Sequence, residues 1–349
     1  MNKLALYRKY RPQSFNEVLG QDHIVAILKN AVKLSRVSHA YLFSGPRGTG
    51  KTSVARILAK EIGCSDVDLI EIDAASSRGI DEIRALREAV NFLPMESKFK
   101  TYIVDEVHML TKEAFNALLK TLEEPPGHVV FILATTELEK VPDTIVSRCQ
   151  NFSFHRITEK ILSEALLSMA KKEGIVIDSE AANLIAVCSE GSFRDAFSLL
   201  DQLASLGDTN KDKKISGKEA RDFLAVPAQE MIEDFLLAII NQEAEKGLNI
   251  IQKSMEQNLD TSVFLKLILR DLRFMLLLRL APGMKDQIKN SVSEKEFDFL
   301  DKNKEISRPG QLELALKVLL DTLGGRQNPY LPHLPLELAF IKLINKSHG

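Results

Sequence analysis

Residues 45–52 read Gly-Pro-Arg-Gly-Thr-Gly-Lys-Thr, a spacing suited to holding a polyphosphate. Gly45, Gly48 and Gly50 free the backbone to turn successive N–H groups inward on phosphate oxygens, with Pro46, Arg47 and Thr49 between them. Lys51 reaches the terminal phosphates, the Thr52 hydroxyl ligates magnesium, and Ser53 follows at the same wall. Such a loop needs an acidic counterpart. Residues 100–105, Lys-Thr-Tyr-Ile-Val-Asp, form a β-type run ending on Asp105, with Glu106 next. A carboxylate at a strand end holds the metal and its water shell, and the next one polarises the water that attacks a γ-phosphate. Lys51, Asp105 and Glu106 are thus candidate catalytic residues, and Thr52 and Asp105 the candidate Mg2+ ligands. The apolar run 128–136 delivers Thr135 and Thr136 to the same sheet edge, where a hydroxyl reaches the γ-phosphate or its water, or else satisfies local backbone groups.

These residues require a frame. Residues 39–44 are a short apolar β-type run, and 51–62 place Val54, Ile57, Leu58 and Ile62 on one helical face. Strand, glycine loop and helix follow in the required order, and the helix N-terminus aims its orphan N–H groups at bound phosphate. A helix opening at Asp22 turns Ile24, Ile27, Leu28 and Ala31 inward. Residues 67–73 alternate apolar and acidic side chains as a strand does. A helix with Ile83, Leu86 and Val90 inward follows, and then one over 112–124 that buries Phe115, Leu118, Leu119 and Leu122 and stops at Pro125-Pro126. With a further strand at 152–154, this alternation predicts a mostly parallel sheet covered on both faces, an α/β fold.

From residue 157 onward only helical periodicity is legible: 161–172, 179–188, 194–206 and, after the polar break 207–214, 216–226, 233–241, 261–280, 312–323 and 336–344. No catalytic constellation occurs in the last of these, as suits an assembly surface or a plain structural domain. The expected domains are 1–156, 157–220 and 221–349. Upstream of the loop, Tyr7, Arg11 and the Val18–Leu19 pair are candidates for an adenine pocket, with plain core packing the alternative for Val18 and Leu19. Arg78, at the start of a helix, is a candidate DNA-backbone contact or else a solvated turn arginine.

Composition bounds the partners. At 349 residues the chain suggests two or three domains, 45% hydrophobic content supports a globular protein, and a net charge of −2 excludes an overall basic nucleic-acid binder. Residues 1–12 lack the apolar core of a signal peptide, so a cytoplasmic location is expected. The most apolar later stretch is interrupted by Lys266, Arg270, Asp271, Arg273 and Arg279, which argues against a membrane span. Cys64, Cys149 and Cys188 are widely spaced and read as reduced thiols.

Together these residues resemble the bacterial DNA polymerase III gamma/tau family, ATPase motors of the sliding-clamp loader in the AAA+ class. The marks are Tyr-Arg-Pro (10–12), the phosphate loop, Asp-Ala-Ala-Ser (73–76), Asp-Glu-Val-His-Met-Leu (105–110), Phe-Asn-Ala-Leu-Leu-Lys-Thr-Leu-Glu-Glu-Pro-Pro (115–126), Leu-Ala-Thr-Thr (133–136), Ser-Arg-Cys (147–149) and Gly-Ser-Phe-Arg-Asp (191–195). The resemblance implies an AAA+ domain, a small helical lid and an all-α collar, with ATP and Mg2+ as cofactors. It also implies Thr136 as the sensor-1 group, Arg148 as a finger acting in trans on a neighbour's site, and Arg194 as sensor 2. The implied partners are copies of the same chain with delta- and delta-prime-type subunits in a hetero-pentameric ring, the sliding clamp and primer-template DNA, within the polymerase III holoenzyme. Two departures stand out. The family's zinc-binding cysteines have no counterpart beyond Cys64, so no zinc is expected, and the chain stops with the collar-like helices, as a short form would. Intact Lys51, Thr52, Asp105 and Glu106 argue against a non-hydrolysing scaffold subunit. The helical C-terminal part favours the loader over a branch-migration motor.

Overall fold

The computed structural model describes residues 4–76, 79–207, 214–289, 291–305, 310–323 and 331–345. In chain order the elements are α1 (Leu6–Lys9), α2 (Asp22–Lys33), β1 (Ala40–Ser44), α3 (Lys51–Glu61), β2 (Leu69–Asp73), α4 (Ile80–Ala89), β3 (Lys100–Asp105), α5 (Lys112–Glu123), β4 (Val129–Thr135), α6 (Asp143–Val146), β5 (Gln150–Ser153), α7 (Glu159–Glu173), β6 (Val176–Ile177), α8 (Ser179–Cys188) and α9 (Phe193–Gly207). There follow β7 (Lys214–Ile215), α10 (Gly217–Phe223), α11 (Gln229–Asn241), α12 (Ala244–Glu256), α13 (Thr261–Leu280), α14 (Lys285–Lys289), α15 (Glu294–Asn303), α16 (Gln311–Leu323) and α17 (Leu334–Asn345). They divide into two compact units, residues 1–174 with 189–209 and residues 175–188 with 210–349.

The first unit holds a parallel five-stranded sheet in the order β2-β3-β4-β1-β5. Both β1 and β4 are buried along their whole length, as parallel strands covered on both faces must be. Successive side chains supply opposite layers. Tyr41 and Phe43 of β1 meet Ile24 and Leu28 of α2 and Val54 and Leu58 of α3. Ala40 and Leu42 meet Ile83 and Leu86 of α4 and Phe115 and Leu118 of α5. Each such large apolar side chain contributes about 1.5–3 kcal/mol by leaving water. The strand order puts β1 between β4 and β5, so the loop after β1 opens where successive connections run to opposite sides, the place where ligands bind in open α/β sheets.

Local details depart from the sequence pattern in three places. The buried stripe of α2 is Ile24, Val25 and Leu28, whereas Ile27 is 49% exposed, because the helix is rotated by about one position on the sheet. Asp68, expected on the outer face of a strand, is buried. Its carboxylate accepts the N–H groups of Met95, Glu96 and Ser97 and so caps the turn before β3. That set of donors, the Ser97 hydroxyl foremost, holds its carboxyl well below the usual range. The chain beyond residue 157 is also not purely helical, since β6 and β7 pair in parallel. Two-residue strands are too short to show alternation in a sequence.

In the second unit the Asp178 carboxylate accepts from Ala181 N and Gly217 N, joining the starts of α8 and α10, and a capping box of Ser216 and Glu219 begins α10. The helices from α11 onward enclose a core with Phe235 at its centre, its ring 5.4 Å from Phe264 and 5.1 Å from Phe340. Arg270 and Asp271, which break the apolar run of α13, form a buried ion-paired group with Glu296, where burial pushes the Glu296 carboxyl up to about 7. Among the described residues no helix is long and apolar enough to cross a membrane. Gly247 of α12 faces this core so closely that a Cβ would lie 1.9 Å from the Phe340 ring. Gly247→Val is therefore expected to destabilise this unit by about 2 kcal/mol or more, the cost of overpacking a rigid aromatic site. Since the chain has no Trp, urea unfolding followed by circular dichroism is the suitable measurement, and an unchanged midpoint would count against this packing.

Candidate active site

The phosphate loop leaves β1 at Ser44 and is held by backbone contacts at both ends. Gly45 N–H donates to Thr135 O at 3.2 Å, and Phe193 N–H, at the start of α9, donates to Gly48 O at 3.0 Å. Neither glycine tolerates a side chain. Gly45 has φ of 138° and its Cβ would lie 2.2 Å from the Phe154 carbonyl, while Gly48 has φ of 74° and its Cβ would lie 1.9 Å from Ser192 Oγ. Lys51 opens α3 and is 6% exposed, and its Nζ donates to Gly45 O (2.8 Å) and Pro46 O (2.9 Å). Burial lowers its pKa from the ordinary lysine value, and the charges of Glu106 and Asp105 oppose that shift.

The acidic side faces this loop. Thr52 Oγ1 donates to Asp105 Oδ2 at 2.7 Å. The next residue, Glu106, has φ of 49°, a left-handed conformation that starts the 3-10 turn Val107–Met109. Its Oε2 accepts the Thr136 hydroxyl at 2.9 Å. A hard oxygen pair from Thr52 and Asp105 beside a buried ammonium is the donor set that suits magnesium and a polyphosphate, so the residues fit both.

A cavity of about 780 Å3 opens over the loop. Arg47, Gly48, Thr49, Gly50, Lys51, Thr52 and Ser53 form its floor, and Asp105 and Glu106 one side. Tyr7, Arg11 and Val18 form another wall, and Arg194 of α9 reaches it. Arg11 Nε donates to Ser53 Oγ at 3.0 Å, and the Arg194 guanidinium lies 5.3 Å from the Tyr7 ring centre, an attractive cation–π distance. The Arg8 hydrogen bond, aided by nearby Arg8 and Arg194 charge, holds the Tyr7 hydroxyl below its usual pKa.

Other candidates lie off the wall. Gly45 and Pro46 contribute carbonyls to Lys51, and Thr136 stands behind Glu106. Arg148 points elsewhere. Its guanidinium meets Glu123 Oε1 at 2.5 Å and Thr144 O at 2.7 Å. Arg78 lies outside the described residues. Cys64 packs in the core beside α3, and burial pushes the Cys149 thiol up to about 12. Two residues escaped the sequence reading. Gln21 is fully buried and its amide donates to His155 O at 2.8 Å and reaches Thr49 O at 3.5 Å, tying the loop to the exit of β5. His108 is wedged beside Glu106, and its place in the quoted Asp-Glu-Val-His run was the one available signal.

Comparison with known proteins covers the whole chain. The family described as DNA polymerase III, delta subunit, matches residues 20–71 and 64–158. The DNA polymerase III clamp loader subunit, ATPase lid domain, matches 162–209, and DNA polymerase III subunits gamma and tau domain III matches 215–348. The DNA polymerase III subunit tau of Bacillus subtilis is 38% identical over 100% of this chain and 64% of its own length, so the chain spans a little under two thirds of that relative. The DNA polymerase III subunit gamma of Buchnera aphidicola is 36% identical over 92% of both chains. Among solved structures, the Thermotoga maritima RuvB Holliday junction branch migration motor superposes with a TM-score of 0.54 at 22% identity, covering 66% of this chain and 79% of that one. That likeness shows a shared fold. With identity above a third along almost the full length of a short gamma subunit, the chain belongs to the gamma/tau family of DNA polymerase III subunits.

Proposed function

We propose that this chain is an ATP-hydrolysing motor subunit of a clamp loader, which uses ATP binding and turnover to place a sliding clamp on primer-template DNA. One observation carries the hydrolytic part: Asp105 reaches Thr52 at 2.7 Å while Glu106, held by Thr136, borders the same cavity. In this reading Lys51 exchanges its loop carbonyls for phosphate oxygens, and Thr52 and Asp105 hold Mg2+. Glu106 takes the proton of the attacking water, and Thr136 orients it. Magnesium, when bound, supplies charge neutralisation at the phosphates. Tyr7, Arg11 and Val18 border the base, and Arg194 carries lid position to the nucleotide. Arg148 acts on a neighbouring subunit, and Arg78 touches the DNA backbone. The three regions 1–156, 157–220 and 221–349 would serve as motor, lid and collar in a hetero-pentameric ring with delta- and delta-prime-type subunits.

The test is ATPase measured with and without sliding clamp and primed DNA. Stimulation by both together is expected, and turnover that responds only to branched DNA would favour a branch-migration motor. A further expectation concerns zinc. The purified protein should carry no stoichiometric zinc and stay folded in a strong chelator, whereas a structural zinc contributes directly to folding and its removal unfolds the site. One zinc per chain by elemental analysis would overturn this.

A further inference from the structure

His108 takes no part in the chemistry assigned above, yet its ring lies between the two segments that carry Glu106 and Thr136. Its side chain is 5% exposed, in the middle of the turn Val107–Met109. Nδ1 lies 3.0 Å from Thr135 Oγ1 and 3.5 Å from Glu106 Oε2, and Nε2 lies 3.2 Å from Glu137 Oε1. The neighbours set the tautomer. The Glu137 carboxylate is an acceptor only, so Nε2 carries the proton. Lys140, 2.6 Å away, keeps that carboxylate ionised by holding its pKa below the usual range. Thr135 Oγ1 already accepts Glu137 N–H at 3.0 Å, which leaves its own proton for Nδ1. The circuit closes: Glu137 N–H to Thr135, Thr135 O–H to His108, His108 N–H to the Glu137 carboxylate.

This arrangement has a consequence for the base. With Nδ1 turned to Thr135, the ring leaves Glu106 Oε2 to the Thr136 hydroxyl. Glu106 also sits in a left-handed conformation at φ of 49°, which a non-glycine residue keeps only where its surroundings hold it. The turn after it is the nearest such support, and His108 is the side chain that ties this turn to the end of β4.

We infer that His108 is a positioning residue for Glu106, locking the turn that carries the base to the strand end that carries Thr136. The inference rests on the reading of Glu106 as the base. The experiment compares His108→Phe, His108→Gln and Glu137→Ala, each in the natural background, and His108→Phe also with Glu106→Gln. Clamp- and DNA-stimulated ATPase gives kcat and KM, and calorimetry gives ATP affinity. His108→Phe keeps the volume but not the hydrogen bonds, and its kcat should fall about 10- to 100-fold, the scale of a catalytic group misplaced by a fraction of an ångström to one ångström. KM and Kd for ATP should stay within about two-fold, since ground-state binding is untouched. His108→Gln retains an amide N–H near the place of Nε2 and should recover part of the loss. Glu137→Ala, at a half-exposed position, keeps the fold in question least and should lower kcat by about three- to ten-fold. With the base gone, adding His108→Phe to Glu106→Gln should change the residual rate by less than about two-fold, because residues acting as a unit are not additive. Natural kcat in both His108→Phe and Glu137→Ala overturns the inference, as does an equal loss in the Phe and Gln variants or a full further fall in the Glu106→Gln background. Glu106→Gln with natural turnover overturns the base reading and this inference together.

Discussion

Lys51→Ala is expected to abolish ATP binding, raising Kd on the order of 10²-fold or more, while Glu106→Gln keeps ATP and loses turnover by about 10²–10⁴-fold in kcat. The two residues differ in what they face. Lys51 is buried at the floor of the cavity with two charge-assisted hydrogen bonds to Gly45 O and Pro46 O, a ready exchange for phosphate oxygens. Its loss removes attraction present in the bound ground state, so affinity falls first. Glu106 bears on the loop through its charge near Lys51. Its carboxylate is held by Thr136 at the cavity side, and glutamine keeps the same length, backbone freedom and acceptor for Thr136 while losing the basic oxygen. Only the proton-accepting step should therefore suffer. Calorimetry on Lys51→Ala and single-turnover kinetics on Glu106→Gln check the pair. Equal ATP affinity in Lys51→Ala and the natural chain, or Glu106→Gln turnover within a few-fold of natural, removes the assignment of that residue.

What the sequence made legible follows the range of the interaction. The phosphate loop and Asp105-Glu106 are local patterns, and the structure sets both on one cavity. The inward faces of α3, α4 and α5 were readable from helical period, since burial of Val54, Ile83 or Phe115 is decided by one repeat against one sheet face. The α2 stripe differs from its sequence pattern because Val25 and Ile27 are both strongly apolar, and only the sheet decides which of them faces in. Asp68 departs for a different reason: no pattern within 67–73 reveals that its partners are the N–H groups of residues 95–97. The contacts of Gln21 with His155, of His108 with Thr135 and of Gly48 with the start of α9 are invisible in the same way, since each joins segments far apart in the chain. The motif positions were thus accessible, and the side chains that hold them in register were not.

Arg148→Ala is expected to lower clamp-stimulated ATPase on the order of 10³-fold while leaving ATP affinity unchanged, the effect of removing a guanidinium that acts on a neighbour's γ-phosphate. Its position supports work outside its own cavity: it follows α6 at the entrance to β5 and pairs with Glu123 at the end of α5, away from the phosphate loop. The bland alternative is that this ion pair is the whole of its role. Magnitudes separate the two. The Arg148 and Glu123 side chains are 34% and 46% exposed, and an exposed pair of this kind is worth about 0.2–1 kcal/mol, too little to hold the arginine in place or to explain a large loss of rate. Glu123→Ala breaks the same pair. If the pair is structural, Glu123→Ala should reproduce the Arg148→Ala defect; if the arginine acts in trans, Glu123→Ala should keep its ATPase. A mixing experiment then tests the trans role directly. Arg148→Ala chains combined with Lys51→Ala chains should recover some stimulated ATPase, because a mixed ring can set an intact phosphate loop against an intact arginine. Neither variant alone can do so. If native mass spectrometry finds mixed rings and the mixture turns over no faster than the two variants assayed apart, Arg148 does not act in trans.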